Sequence, residues 1–147
     1  MDVSKYQKNI DWNQIKKAGV SFVIVRIGYR AMVLPARWCW THVRGAFHQC
    51  EECGPEGGRV FFSQATTEEE AKEEAFACAY VLNGRKLDYP IFFDTEASGA
   101  SNGSGRADGL GMEDRTKCAI AFCEEVKAQG YKPGVYASTC GTASVSI

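Results

Sequence analysis

No stretch of this sequence approaches the roughly 20 consecutive apolar residues of a membrane span, and Met1-Asp2-Val3-Ser4-Lys5 lacks the apolar core of a secretory leader. As written, the chain is expected neither to enter a membrane nor to carry an export signal. An excess of one charge is missing as well: 17 Lys and Arg stand against 18 Asp and Glu, a formal net charge of -1. No long-range field therefore draws the chain toward nucleic acid or an anionic lipid surface. An even cysteine count is also lacking. The seven cysteines are Cys39, Cys50, Cys53, Cys78, Cys118, Cys123 and Cys140, and an odd number without a leader argues against a disulfide framework. What remains is 147 residues, 45% of them hydrophobic, enough for one globular domain with a buried core.

The order of elements points to an α/β protein. Trp12, Ile15 and Ala18 share the spacing of a short helix closed by Gly19. Phe22-Val23-Ile24-Val25-Arg26-Ile27 is β-branched and nearly continuous, as in a strand covered on both faces. Thr67 and Glu70 form a capping box, with Glu68 and Glu69 at the positive end of the helix dipole, and the helix they open is expected to stop near Gly84. Tyr89 to Glu96 reads as a strand ending in carboxylates, followed by a Gly/Ser-rich loop from Ala97 to Gly111. A helix from about Glu113 to Gln129 places Cys118, Ala119, Phe122, Cys123 and Val126 on one side, where a reduced thiol acts as a small hydrophobe. Gly134-Val135-Tyr136-Ala137 is a further short strand. Strands alternating with helices predict a parallel sheet whose function gathers at the C-terminal ends of its strands.

Asp94 and Glu96 sit at one such end. Residues i and i+2 of a strand point to the same side, their Cα atoms about 6.5 Å apart. Neighbouring carboxylates raise one another's proton affinity, so one holds a proton as a general acid while the other stays anionic. Glycoside hydrolysis uses that pairing: the acid protonates the departing sugar oxygen, and the anion supports positive charge at the anomeric carbon. The spacing alone is equally that of a polar strand end beside a loop.

Several segments in order resemble a glycoside hydrolase family 25 lysozyme. They are Asp2-Val3-Ser4-Lys5-Tyr6-Gln7, Ile10-Asp11-Trp12, Phe22 through Arg30, Phe61-Phe62-Ser63-Gln64-Ala65-Thr66-Thr67, Leu87-Asp88-Tyr89-Pro90, Phe93-Asp94-Thr95-Glu96 and Gly130 through Ala137. The resemblance implies an incomplete TIM-type (β/α)-barrel glycosidase domain over 1–147 that cleaves the β-1,4 bond between N-acetylmuramic acid and N-acetylglucosamine in peptidoglycan, with retention. Glu96 matches the general acid, and Asp94 and Asp2 match its acidic partners. Asp94 as attacking nucleophile and Asp94 as a guide for the substrate's N-acetyl group both stand as readings. Tyr136 matches an aromatic position at the cleft, or is a core tyrosine on a short strand. No cofactor or metal is implied. The expected partner is the peptidoglycan glycan strand, bound by a monomer in an extracellular or cell-wall setting.

Residues 31 to 60 break the resemblance. They hold both histidines, and His42, His48, Cys50 and Cys53 could supply four zinc ligands. However, His48-x-Cys50 is tighter than usual ligand spacing, and a lone Cys-x-x-Cys is a weak signal. The genetic code offers another account. Read from the third base of each codon, Met32-Val33 forces Gly, and Trp38-Cys39-Trp40-Thr41 forces Val-Leu-Asp, which fit the family's continuation. Gln49 to Val60 read from the second base permits the family's next helix and strand. Successive single-base losses would produce this pattern, so residues 31–60 are read as a frameshifted translation of a damaged or partial copy. The strand before Phe61 is expected to be lost, and the family's last strands lie beyond the matched motifs, which puts barrel closure and activity in question. A non-catalytic glycan-binding remnant and a zinc-binding interaction module are the rival readings.

Overall fold

The apolar run after Gly19 becomes the strand around which the sheet is built. The computed structural model describes residues 1–3, 10–30, 38–40, 56–99 and 105–137. In chain order the elements are β1 (Asp2–Val3), α1 (Trp12–Lys17), β2 (Phe22–Arg30), β3 (Trp38–Trp40), β4 (Glu56–Phe62), α2 (Glu68–Leu82), β5 (Ile91–Asp94), α3 (Met112–Ala128) and β6 (Pro133–Tyr136). The sheet runs β1-β2-β4-β5-β6, all pairs parallel, with β3 pairing antiparallel to the end of β2. Among the described residues it does not close on itself.

Local sequence explains the start of α1 and both ends of α2. Asp11 caps α1 by accepting from the Gln14 N–H at 3.1 Å. The Thr67 hydroxyl caps α2 by accepting from the Glu70 N–H at 3.3 Å. Glu70 completes the capping one residue earlier than expected, accepting from the Thr66 N–H at 2.9 Å. Asn83, in the left-handed region at φ 48, ends that helix.

One face of the sheet packs on the helices. Val23, Val25 and Ile27 of β2, Phe61 of β4, and Ile91 and Phe93 of β5 meet Ala71, Ala75 and Cys78 of α2 and Cys118, Ala119 and Phe122 of α3. Small residues on both helices let α2 and α3 lie close together over this core. Cys78 and Cys118 are buried free thiols, and burial pushes both above the ordinary thiol range. Cys123, expected on the packed face, is only half-buried. At the end of β2, Arg30 is 4% exposed and pairs with Glu74 at 3.0 Å and Glu73 at 2.9 Å, fastening the strand to α2.

The structure corrects one expectation. The strand before Phe61 is present: Glu56–Phe62 pairs with β2 on one side, and its second half with β5 on the other. Backbone hydrogen bonds from two neighbours hold it although Glu56-Gly57-Gly58-Arg59 has no alternation, and even Arg59 is buried there, donating to the Gly58 carbonyl at 2.8 Å. Trp38–Trp40 is likewise a strand, although its segment carries no period-2 pattern. His42, His48, Cys50 and Cys53 lie outside the described residues, as do 4–9 and 138–147.

Gly58 shows how tightly β4 is inserted. A Cβ there would meet the Pro90 carbonyl oxygen and Tyr89 Cβ at 2.9 Å and Ile24 Cδ1 at 2.8 Å. Gly58→Ala is therefore expected to destabilise the fold by about 1–3 kcal/mol. Urea unfolding checks this; an unchanged midpoint would mean that the neighbouring loop yields without cost.

Candidate active site

In a parallel ladder, residues in register share a face. Asp2 pairs with Ile24, Arg26 with Val60, Phe62 with Asp94, and Asp94 with Tyr136. The face opposite the helices therefore carries Asp2, Arg26, Phe62, Asp94 and Tyr136. The sheet curls enough that its two ends approach: the Tyr136 hydroxyl on β6 donates to Asp2 Oδ2 on β1 at 3.5 Å. Tyr136 is 44% exposed, so it is no core tyrosine.

The regular strand β5 ends at Asp94 rather than Glu96, but one further ladder bond, from the Thr95 N–H to the Tyr136 carbonyl at 3.0 Å, carries the extended chain onward. Thr95 turns its hydroxyl toward α3, accepting from Arg115 Nη1 at 2.7 Å. Asp94 and Glu96 flank it, and each lies within electrostatic reach of the other.

Asp94 is 2% exposed. Burial, then repulsion from Glu96 and Asp2, pushes its carboxyl up to about 7, against the pull of Arg26. Arg26 Nη2 lies 3.6 Å from Asp94 Oδ2, and its guanidinium carbon lies 5.2 Å from the centroid of the Phe62 ring. Asp94 Oδ1 accepts no hydrogen bond among the described residues. Asp2, acting first among several causes, raises the Tyr136 hydroxyl above its ordinary value. The cleft thus gathers three carboxyl groups, an arginine and two aromatic rings.

Arg26 and Phe62 were not singled out from sequence as site residues. The available signal was a lone arginine interrupting the apolar run Phe22–Ile27, on the face that alternation assigns away from Val25 and Ile27. Among the described residues, no cluster of His, Cys, Asp and Glu is placed to hold a metal ion.

A largely parallel α/β sheet, curled like part of a barrel and carrying acids at one mouth beside aromatic rings, defines the barrel class of α/β folds. A family profile agrees: Glycosyl hydrolases family 25 matches residues 1–144. The chain belongs to this family. Solved structures share the fold. The modular autolysin LytC from Streptococcus pneumoniae aligns at 24% identity and TM-score 0.78, covering 93% of this chain and 31% of that one. A family GH25 lysozyme from Aspergillus fumigatus aligns at 19% identity and TM-score 0.70, covering 92% and 63%. A family 25 glycosyl hydrolase from Bacillus anthracis aligns at 20% identity and TM-score 0.67, covering 92% and 58%. This chain therefore spans less than two thirds of the length of these structures. LytC has also been solved with a synthetic peptidoglycan ligand. A search of curated protein sequences gave no match.

Proposed function

We propose that this domain is a lysozyme-type β-1,4-N-acetylmuramidase acting on peptidoglycan with retention. The observation that supports it most directly is the meeting of Asp2, Asp94 and Glu96 with Tyr136 at one mouth of the sheet. Glu96 is the general acid that protonates the departing glycosidic oxygen. Asp94, buried and with Oδ1 lacking a donor among the described residues, accepts the N–H of the substrate's acetamido group. That leaves the acetamido oxygen aimed at the anomeric carbon, where charge develops, and a displacement followed by a second displacement by water retains configuration. Asp2 adds negative potential, and Tyr136 gives the sugar a platform. Release of reducing ends from purified peptidoglycan, with the β-anomer of muramic acid formed first by NMR, is the expected result. Persistent failure to release reducing ends from a folded sample would favour the glycan-binding remnant instead. The frameshift reading of residues 31–60 is a separate proposal, settled by genomic reads across those codons.

Arg26 provides a test through pH. Among the described residues, the charged and titratable groups facing Asp94 are Asp2, Glu96, Arg26 and Tyr136, and of these Arg26 holds its carboxyl down. Asp94 accepts the acetamido N–H most strongly, and lends it negative charge, as the anion, so kcat/KM should rise as pH climbs through about 7. Arg26→Met removes the cation and should move that acidic limb upward by about one pH unit. A limb that stays in place would show that another group governs it.

A further inference from the structure

Resting on the reading of Glu96 as the acid, we infer that Arg115 is a positioning residue for Glu96, holding the peptide before it and the turn after it in one frame. Arg115 sits within the first turns of α3, its N–H bonded to the Gly111 carbonyl at 3.0 Å. A cation is disfavoured there, because the positive end of the helix dipole lies beside it. It is nonetheless 7% exposed and forms no ion pair among the described residues. The acids nearest in sequence, Glu113 and Asp114, turn instead to Lys117, at 2.8 and 3.5 Å. A buried cation placed against its local preference, hydrogen-bonded among the described residues only to neutral acceptors and felt by the Asp108 carboxylate through space, implies a role other than helix stability.

Its three acceptors identify that role. Nη1 donates to Thr95 Oγ1 at 2.7 Å, and Nη2 donates to the Ala107 carbonyl at 2.7 Å and the Leu110 carbonyl at 3.3 Å. Thr95 immediately precedes Glu96. Two residues beyond Glu96, Ser98 donates to Asp108 through its N–H at 2.8 Å and its hydroxyl at 2.6 Å. Glu96 is therefore suspended between two fixed points, both tied to the 105–110 turn that Arg115 grips from below. The planar guanidinium suits this task because it reaches separate acceptors in a rigid fork, which an ammonium group does not.

The test compares Thr95→Val, Thr95→Ser and Arg115→Met in the full chain, on purified peptidoglycan and by amide hydrogen exchange. Misplacement of an acid by a fraction of an ångström lowers turnover rather than binding. Thr95→Val and Arg115→Met are expected to reduce kcat about 10- to 100-fold with KM unchanged. Thr95→Ser, which keeps the acceptor, should retain more turnover than Thr95→Val, whereas a packing role alone would favour the isosteric valine. The amides of Thr95 and Ser98, which donate to the Tyr136 carbonyl and to Asp108, should lose protection while those of β5 and α3 keep theirs. Preserved kcat in Thr95→Val, the reverse order of Ser and Val, or protection lost throughout the domain would each overturn the assignment. Should the parent chain show no turnover, the muramidase reading fails by itself. The exchange data then decide whether Arg115 holds Glu96: loss confined to the Thr95 and Ser98 amides upholds it, and no loss rejects it.

Discussion

Glu96→Gln should cut peptidoglycan cleavage by about 10²- to 10⁴-fold while leaving glycan binding unchanged. The amide is nearly the same size as the carboxyl, so the cleft keeps its shape. It carries no acidic proton, and the departing oxygen must then leave as a poorly stabilised alkoxide. Nothing in the hydrogen bonds that fix Thr95 and Ser98 involves the Glu96 side chain, so the fold should tolerate the change. Two measurements separate these effects: reducing-end release reports turnover, and sedimentation with insoluble peptidoglycan reports binding. Turnover near the parent's would remove Glu96 from the acid role. Loss of both turnover and binding would assign it to substrate contact.

Asp94→Asn should act in opposite directions on activity and stability. Turnover falls by about 10²- to 10³-fold, because a neutral amide supplies no charge to accept and orient the acetamido N–H. Stability near pH 8 should rise. Burial raises the Asp94 carboxyl from an ordinary value of 3.8 to about 7, so between those values the folded chain holds a proton that the unfolded chain has released. Stability therefore declines as pH rises across that window and levels off above it. The window spans about three pH units, which corresponds to a contribution on the order of 4 kcal/mol. Asparagine never ionises and removes this slope. Glu74, also pushed up to about 7 by burial, adds a slope of the same sign to both proteins and cancels in the comparison. Melting curves at pH 4 and pH 8 should converge at the lower pH and separate at the higher, with the variant melting later. Coincident curves at pH 8 would mean that Asp94 stays solvated in the folded chain.

Elements governed by local pattern were legible in the sequence. The apolar run of β2, the cap of α2 and the 3.6-residue spacing of α3 needed only near neighbours to be read. β4 was not legible, since Glu56-Gly57-Gly58-Arg59 has no alternation, and partners distant in sequence on both sides hold it in the sheet. Likewise β2 runs three residues past Ile27 because β4 pairs with Gly28 and Tyr29 on one side and β3 with Gly28, Tyr29 and Arg30 on the other. The same division holds at the cleft. Asp94 and Glu96 could be paired from strand periodicity alone. Asp2 and Tyr136 entered only through resemblance, because their meeting depends on curvature accumulated over five strands. Arg26 was overlooked as one charge in a hydrophobic strand, where its face, not its residue type, gives it a role.

The Tyr136 hydroxyl and the Asp2 carboxylate are 134 residues apart in sequence and touch in space. Such a contact closes almost the whole chain into one loop, which makes it among the slowest to form and dependent on everything between. During synthesis the first strand emerges long before the last, so the cleft has no existence until nearly all of the described chain has left the ribosome. Assembly of the sheet can proceed strand by strand, but the meeting of its two ends comes in a single late step.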